Sequence, residues 1–130
     1  MKILGIGVDI VQNKRIKILI NNKRFIKRIL GKNEIKFFNK KLNKVEYLSK
    51  RFAAKEALAK ALGTGFRQKV QFKDIEILND KIGKPYYLKS KKIDKTILKK
   101  FNINKYSLFL SISDEKDYSV AFTILQTKNV

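Results

Sequence analysis

The chain has no cysteine, no histidine and no tryptophan, one proline, and only 11 acidic residues against 31 basic ones in 130. The missing cysteine excludes disulfides, thiolate metal sites and a cysteine nucleophile. The missing histidine excludes the usual zinc sites and every triad or general base built on an imidazole. No apolar stretch approaches the roughly 20 residues of a membrane-spanning helix. The opening Met1-Lys2-Ile3-Leu4-Gly5 carries a single charge and too short an apolar run for a signal peptide. These absences point to a cytoplasmic protein, without membrane insertion, whose chemistry rests on carboxylates, lysines, arginines and bound groups.

Hydrophobic residues make up 44 % of the chain, which suits one domain, residues 1–130, with a modest core. The formal net charge is +20. Such a field attracts polyanions, whether nucleic acid, an acidic membrane or an acidic protein. The same abundance of Lys, Ile and Asn also arises from biased base composition, so charge alone names no partner.

No repeat, linker or low-complexity tail divides the chain. In residues 3–11 the even positions Leu4, Ile6, Val8 and Ile10 form one apolar face, and Gly5, Gly7, Asp9 and Val11 form the other. This run reads as a core strand, with space left beside Asp9 by Gly7. Residues 13–30 read as one basic helix stopped by Gly31, and 33–39 as a short one. Asn43-Lys44-Val45-Glu46 is close to a capping box and predicts the start of the longest helix, ending at Gly63. Residues 72–79 and 85–89 predict a hairpin around the Asp80–Lys84 loop, residues 90–101 a lysine-rich helix, and 107–113 with 118–126 a second hairpin. Strands separated by helices, with a closing hairpin, predict an α+β domain: an antiparallel sheet packed with helices, one of them long and central.

Two acids stand out. Asp9 lies in an apolar strand, and Glu56 in a helix, 51–62, that is apolar nearly all round and so expected to be buried. An unpaired carboxylate in such surroundings is costly. Glu56 has Phe52 and Lys60 four residues to either side, which allows a Glu56–Lys60 ion pair; Asp9 could simply cap the next helix. The alternative for both is a shared cation. Two carboxylates completed by water and phosphate oxygens suit Mg²⁺, with Mn²⁺ as the alternative. Gly63-Thr64-Gly65 permits close backbone approach to a ligand, but it follows a helix C-terminus, whose dipole repels anions. A phosphate there needs cationic help, for which the sequence offers Lys60, Arg51 or Arg67. The basic segment 14–28 offers a docking surface for an acidic partner, with Phe25 as an apolar anchor.

Taken in order, these segments resemble the holo-acyl-carrier-protein synthase family of phosphopantetheinyl transferases. The resemblance rests on Gly5-Ile6-Gly7-Val8-Asp9-Ile10-Val11 followed by Arg15-Ile16, on Lys50-Arg51-Phe52-Ala53-Ala54-Lys55-Glu56-Ala57, and on Gly63-Thr64-Gly65. It continues through Phe72 with Asp74-Ile75-Glu76, Asp80 with Gly83-Lys84-Pro85, and Ser111-Ile112-Ser113-Asp114 with Tyr118 and Ala121. It implies transfer of 4′-phosphopantetheine from coenzyme A to a serine of apo-acyl carrier protein, with adenosine 3′,5′-bisphosphate as by-product, in the service of fatty acid biosynthesis. It implies Mg²⁺ held by Asp9 and Glu56, catalytic roles for Glu56 and Lys60, and a homotrimer with sites at subunit interfaces. Coenzyme A contacts fall on Arg51, Gly63, Thr64, Gly65, Gly83, Lys84 and Pro85. The acidic carrier protein falls to Arg15, Arg24, Phe25 and Arg28. The carrier supplies the nucleophile, so the enzyme needs none. One departure is clear: Phe109 stands where many members carry a histidine, and no role of that histidine carries over. The alternative reading is a small basic nucleic-acid-binding protein. It accounts for the charge, but it leaves Asp9 and Glu56 unexplained and has no recognised motif behind it.

Overall fold

The computed structural model describes residues 1–63 and 70–128. In chain order the elements are β1 (Ile3–Gln12), α1 (Asn13–Leu19), α2 (Lys23–Ile29), α3 (Lys32–Lys40) and α4 (Lys44–Leu62), then β2 (Ile77–Asn79), β3 (Pro85–Tyr87), α5 (Lys91–Phe101), β4 (Tyr106–Asp114) and β5 (Tyr118–Thr127). β1, β5 and β4 form an antiparallel sheet in that order, and β2 and β3 form a separate hairpin. The predicted α+β architecture with one long helix is what the chain adopts.

Local chemistry sets most boundaries. Asn43 caps α4 by accepting from the Glu46 amide, and Gly63 ends it in the left-handed region at φ 74°. Ser90 caps α5 through the Ile93 amide. The expected single helix over 13–30 is broken in two. After Leu19 the chain turns, and the Asn22 side chain accepts from the Phe25 amide to start α2 afresh. An asparagine offers the backbone a cap as readily as a place inside a helix. The expected strand over 72–79 is shorter, because Phe72–Asp74 is a 3₁₀ turn in which Asp74 accepts from the Gln71 amide.

The sheet meets α4 through glycine. A Cβ on Gly5 or Gly7 would lie 1.9 Å from the carbonyl oxygens of Ala61 and Ala57 respectively. Strand and helix backbones therefore touch, and Ala53, Ala54, Ala57, Leu58, Ala61 and Leu62 are buried behind them. Gly7→Ala is expected to cost about 3 kcal/mol, because the helix must move to admit one methyl. Chemical denaturation checks this, and an unchanged midpoint would refute the contact.

This packing leaves the run that reads as a core strand covered on one face only in the single chain. The glycine and aspartate face of β1 turns inward, and the apolar even face turns out: Ile6, Val8 and Ile10 are 60 %, 52 % and 64 % exposed. Register places them beside Ile124, Phe122 and Val120 of β5. Phe109 and Ser111 of β4 continue the same face, which is open in the single chain. Alternation shows that two faces differ; the demand for close backbone approach decides which one meets the helix.

Tyr87 pins β3 beneath α4. Its hydroxyl donates to the Ala54 carbonyl at 2.6 Å and therefore accepts from Thr123, also at 2.6 Å. Burial pushes its pKa above the ordinary 10.0, with the Thr123 hydrogen bond opposing. The folded state thus holds the phenol proton more tightly than the unfolded chain, a stabilisation complete below about pH 10 and lost as pH rises toward the folded pKa. Tyr87→Phe is expected to be about 1–3 kcal/mol less stable than wild type at pH 7. The difference narrows above pH 10, which denaturation at the two pH values reads.

Candidate active site

Gly7 lets β1 lie under α4, and two residues on, the Asp9 side chain projects from the same strand face beside Glu56. Glu56 feels it: its pKa is raised by burial first and by the Asp9 charge second, with Lys60 pulling the other way. The expected Glu56–Lys60 ion pair is not the one formed. The Lys60 ammonium reaches across the interface, 3.1 Å from Asp9 Oδ1 and 2.9 Å from the Val8 carbonyl. There it gains a carboxylate and a carbonyl together, which a pair along the helix surface does not offer.

The acids open into a groove of about 590 Å³ lined by Arg15, Ile18, Leu19, Phe25 and Phe52. The Phe25 and Phe52 rings lie 6.4 Å apart, and Phe52 stacks on Phe72 at 5.4 Å. The groove therefore has an acidic end, an aromatic wall and a cation, Arg15, at its rim. Arg24 and Arg28 are exposed on α2, the helix that carries Phe25. Of the residues assigned to a partner, Arg15 and Phe25 come together in the groove, and Arg24 and Arg28 stand outside it.

A second hollow, of about 380 Å³, lies toward the other end of α4 between Lys41, Tyr47, Lys50, Arg51, Asn79 and Gly83. Arg51 is 5 % exposed. It donates to Asn79 Oδ1 at 2.5 Å and lies 4.2 Å over the Tyr47 ring, and its Nε has no hydrogen-bond partner among the described residues. The turn beside it is shaped by Asp80, which accepts from the Ile82 and Lys84 amides, and by Gly83 at φ 90°. Lys84 is exposed and Pro85 opens β3. Gly63 is at the far end of α4 from this hollow; Thr64 and Gly65 lie outside the described residues. The residues expected to contact a coenzyme thus fall at both ends of one helix.

The most buried acid was not among those singled out from the sequence. Glu34 and Lys55 are both 0 % exposed and paired at 2.5 Å. Lys55 also donates to the Phe72 and Ile75 carbonyls, and Glu34 accepts from the Gly31 and Ile77 amides. The signal was available: a lysine amid alanines on a helix expected to be buried needs an acid from elsewhere. Lys100, whose ammonium sits on the Leu62 carbonyl at 2.5 Å, was also passed over.

Among the described residues no cluster of three or more acidic ligands occurs. Asp9 and Glu56 form a pair, close enough for one charge to raise the pKa of the other. One or two carboxylates with phosphate and water oxygens are the donor set Mg²⁺ takes, so these residues fit a hard divalent cation shared with an anionic ligand.

Fold and site together define a class: a small α+β protein whose paired acids can hold a cation against an anionic ligand, with an aromatic-walled groove, flanked by arginines, open to a second molecule. Comparison narrows this. The sequence model of the 4′-phosphopantetheinyl transferase superfamily matches residues 5–123. The chain is 56 % identical to the holo-[acyl-carrier-protein] synthase of Pelagibacter ubique, over 98 % of this chain and all of that protein. The crystal structure of the synthase from Neisseria meningitidis is 42 % identical and superposes with a TM-score of 0.87 over 97 % of this chain and 100 % of that one. That of the Bacillus anthracis synthase in complex with CoA (3′,5′-ADP) is 36 % identical, with a TM-score of 0.81 over 97 % and 98 %. The chain belongs to the 4′-phosphopantetheinyl transferase superfamily, among its holo-[acyl-carrier-protein] synthase members.

Proposed function

We propose that this enzyme transfers 4′-phosphopantetheine from coenzyme A to a serine of apo-acyl carrier protein, in the cytoplasm and in the service of fatty acid biosynthesis. The observation that carries this reading is the Asp9–Glu56 pair at the end of the aromatic-walled groove, in a chain of this family. The carrier serine oxygen bonds to the phosphorus that bears the pantetheine arm, the phosphoanhydride bond to the nucleotide half breaks, and adenosine 3′,5′-bisphosphate leaves. A cation held by Asp9 and Glu56, Mg²⁺ or Mn²⁺, supplies charge neutralisation at the diphosphate. Lys60, anchored on Asp9, adds a positive charge beside the reacting phosphate. Glu56 is the carboxylate that the chain itself provides in this site to take the serine proton, directly or through a water.

Arg15, Arg24 and Arg28 steer and seat the acidic carrier, and Phe25 gives it an apolar anchor at the groove. Coenzyme A is held at the Arg51–Gly83 hollow, with Lys84 and Pro85 in its turn, and at the Gly63-Thr64-Gly65 end of α4. The reading is tested by following coenzyme A and adenosine 3′,5′-bisphosphate chromatographically with and without apo-carrier. Bisphosphate released only when carrier is present supports it, and no release with competent carrier overturns it.

The open face of β1, β5 and β4 supports self-association, proposed here as a homotrimer. A contiguous apolar sheet face is a surface that proteins cover. Val8→Lys, at the middle of that face, is expected to shift the protein from trimer to monomer in light scattering; a wild-type monomer would refute it. Among the described residues no helix is long and apolar enough to cross a membrane.

A further inference from the structure

The negative end of α4 raises a difficulty for any phosphate bound at its glycine turn. Helix C-termini carry partial negative charge and repel anions. Of the three cations offered by the sequence, Arg67 lies outside the described residues and the other two are committed elsewhere. Lys60 is engaged with Asp9 and the Val8 carbonyl. Arg51 is engaged with Asn79 and the Tyr47 ring. It also stands eleven residues before Leu62, about 16 Å along a helix axis.

A different residue occupies the position. Lys100, in the last turn of α5, places its ammonium 2.5 Å from the Leu62 carbonyl, the last of α4. It lies so close over Gly63 that a Cβ there would come within 2.5 Å of it. The Gly63 amide already satisfies the carbonyls of Ala59 and Lys60. The same ammonium lies 5.6 Å over the Phe101 ring. An ammonium has three donors, and Leu62 is the one hydrogen-bond acceptor of Lys100 among the described residues. Gly63 itself is exposed and has no side chain to block approach.

We propose that Lys100 is a coenzyme-binding residue: its ammonium cancels the negative end of α4 at Leu62 and Gly63 and offers its free donors to a phosphate group of coenzyme A. The inference rests on the transfer reading above and adds to it a contact from a helix the motifs do not include. The lysine does two jobs that substitution separates. As a cap it needs only a donor; as a phosphate receptor it needs charge.

Coenzyme A binding is measured by calorimetry for wild type and for Lys100→Arg, Lys100→Gln and Lys100→Met, alongside the melting temperature of each. Arginine, which keeps the charge, is expected to retain affinity within about twofold, and glutamine and methionine to lose about tenfold to a hundredfold, the size of one charge-assisted hydrogen bond. All four melt within a few degrees of one another. In turnover, the loss appears in the KM for coenzyme A and not in the KM for the carrier. A glutamine variant that binds like wild type would reduce Lys100 to a helix cap and overturn the proposal alone. Wild-type protein that binds no coenzyme A would overturn it together with the reading beneath it.

Discussion

Glu56→Ala is expected to lower carrier-dependent transfer by about two to four orders of magnitude, the several kcal/mol that cation-assisted charge stabilisation supplies, while the fold survives. The argument runs through the backbone. Gly7 lets β1 touch α4 at Ala57, so Asp9, two residues along the strand, is brought beside Glu56, the helix neighbour of Ala57, without contributing to the core. Glu56 is only half buried and makes no ion pair among the described residues, since Lys60 has gone to Asp9. Its removal relieves like-charge repulsion with Asp9, so stability should hold or rise slightly. Loss of activity with stability retained is the mark of a functional carboxylate. An active Glu56→Ala protein would end the assignment of this acid to the cation site.

The opposite pattern is expected at Glu34. Glu34→Ala leaves the Lys55 ammonium buried without its counter-charge, and the amides of Gly31 and Ile77 without their acceptor. Breaking a buried pair from one side costs about 3–5 kcal/mol, a large part of the stability of a domain this size. Burial already pulls the Lys55 pKa down, with Glu34 opposing, so loss of the carboxylate pulls it further down. The double variant Glu34→Leu/Lys55→Met removes the stranded charge. It still removes the lysine donor of the Ile75 carbonyl and the carboxylate acceptor of the Gly31 and Ile77 amides, and should recover only part of the loss. Urea denaturation of both variants decides it; Glu34→Ala within about 1 kcal/mol of wild type would show that the pair contributes little.

These two glutamates show how far the sequence could be read. Glu56 was legible because apolar neighbours surround it at helical spacing and a lysine stands one turn away. What spacing could not reveal was the partner of that lysine, since the choice between Glu56 and Asp9 depends on how closely the strand lies beneath the helix. Glu34 was hidden in a short, lysine-rich segment, and its burial follows only from the packing of α3 under β2 and α4. The same limit applies to β1. The period of two was read correctly, but the inward face is the one with glycines, because a helix backbone replaces the side chains there. The split at residues 20–22 turned on one asparagine acting as a cap. Where a motif is local, as at Asn43 and Gly63, sequence and structure agree to the residue, and the lysine-rich helix expected from Ser90 starts one residue on, with Ser90 as its cap. Lys100 is the extreme case: its partner carbonyl lies 38 residues away, and nothing local marks it.

The central claim is that Asp9 and Glu56 serve a transfer from coenzyme A to a carrier serine. Its most direct test is the intact mass of apo-acyl carrier protein after incubation with this protein, coenzyme A and Mg²⁺, with and without EDTA. The account predicts a gain of about 340 Da, one phosphopantetheine group on a serine, abolished by EDTA and absent with Glu56→Ala. An unchanged carrier mass with folded wild-type protein, or a gain indifferent to EDTA and to Glu56→Ala, would contradict it.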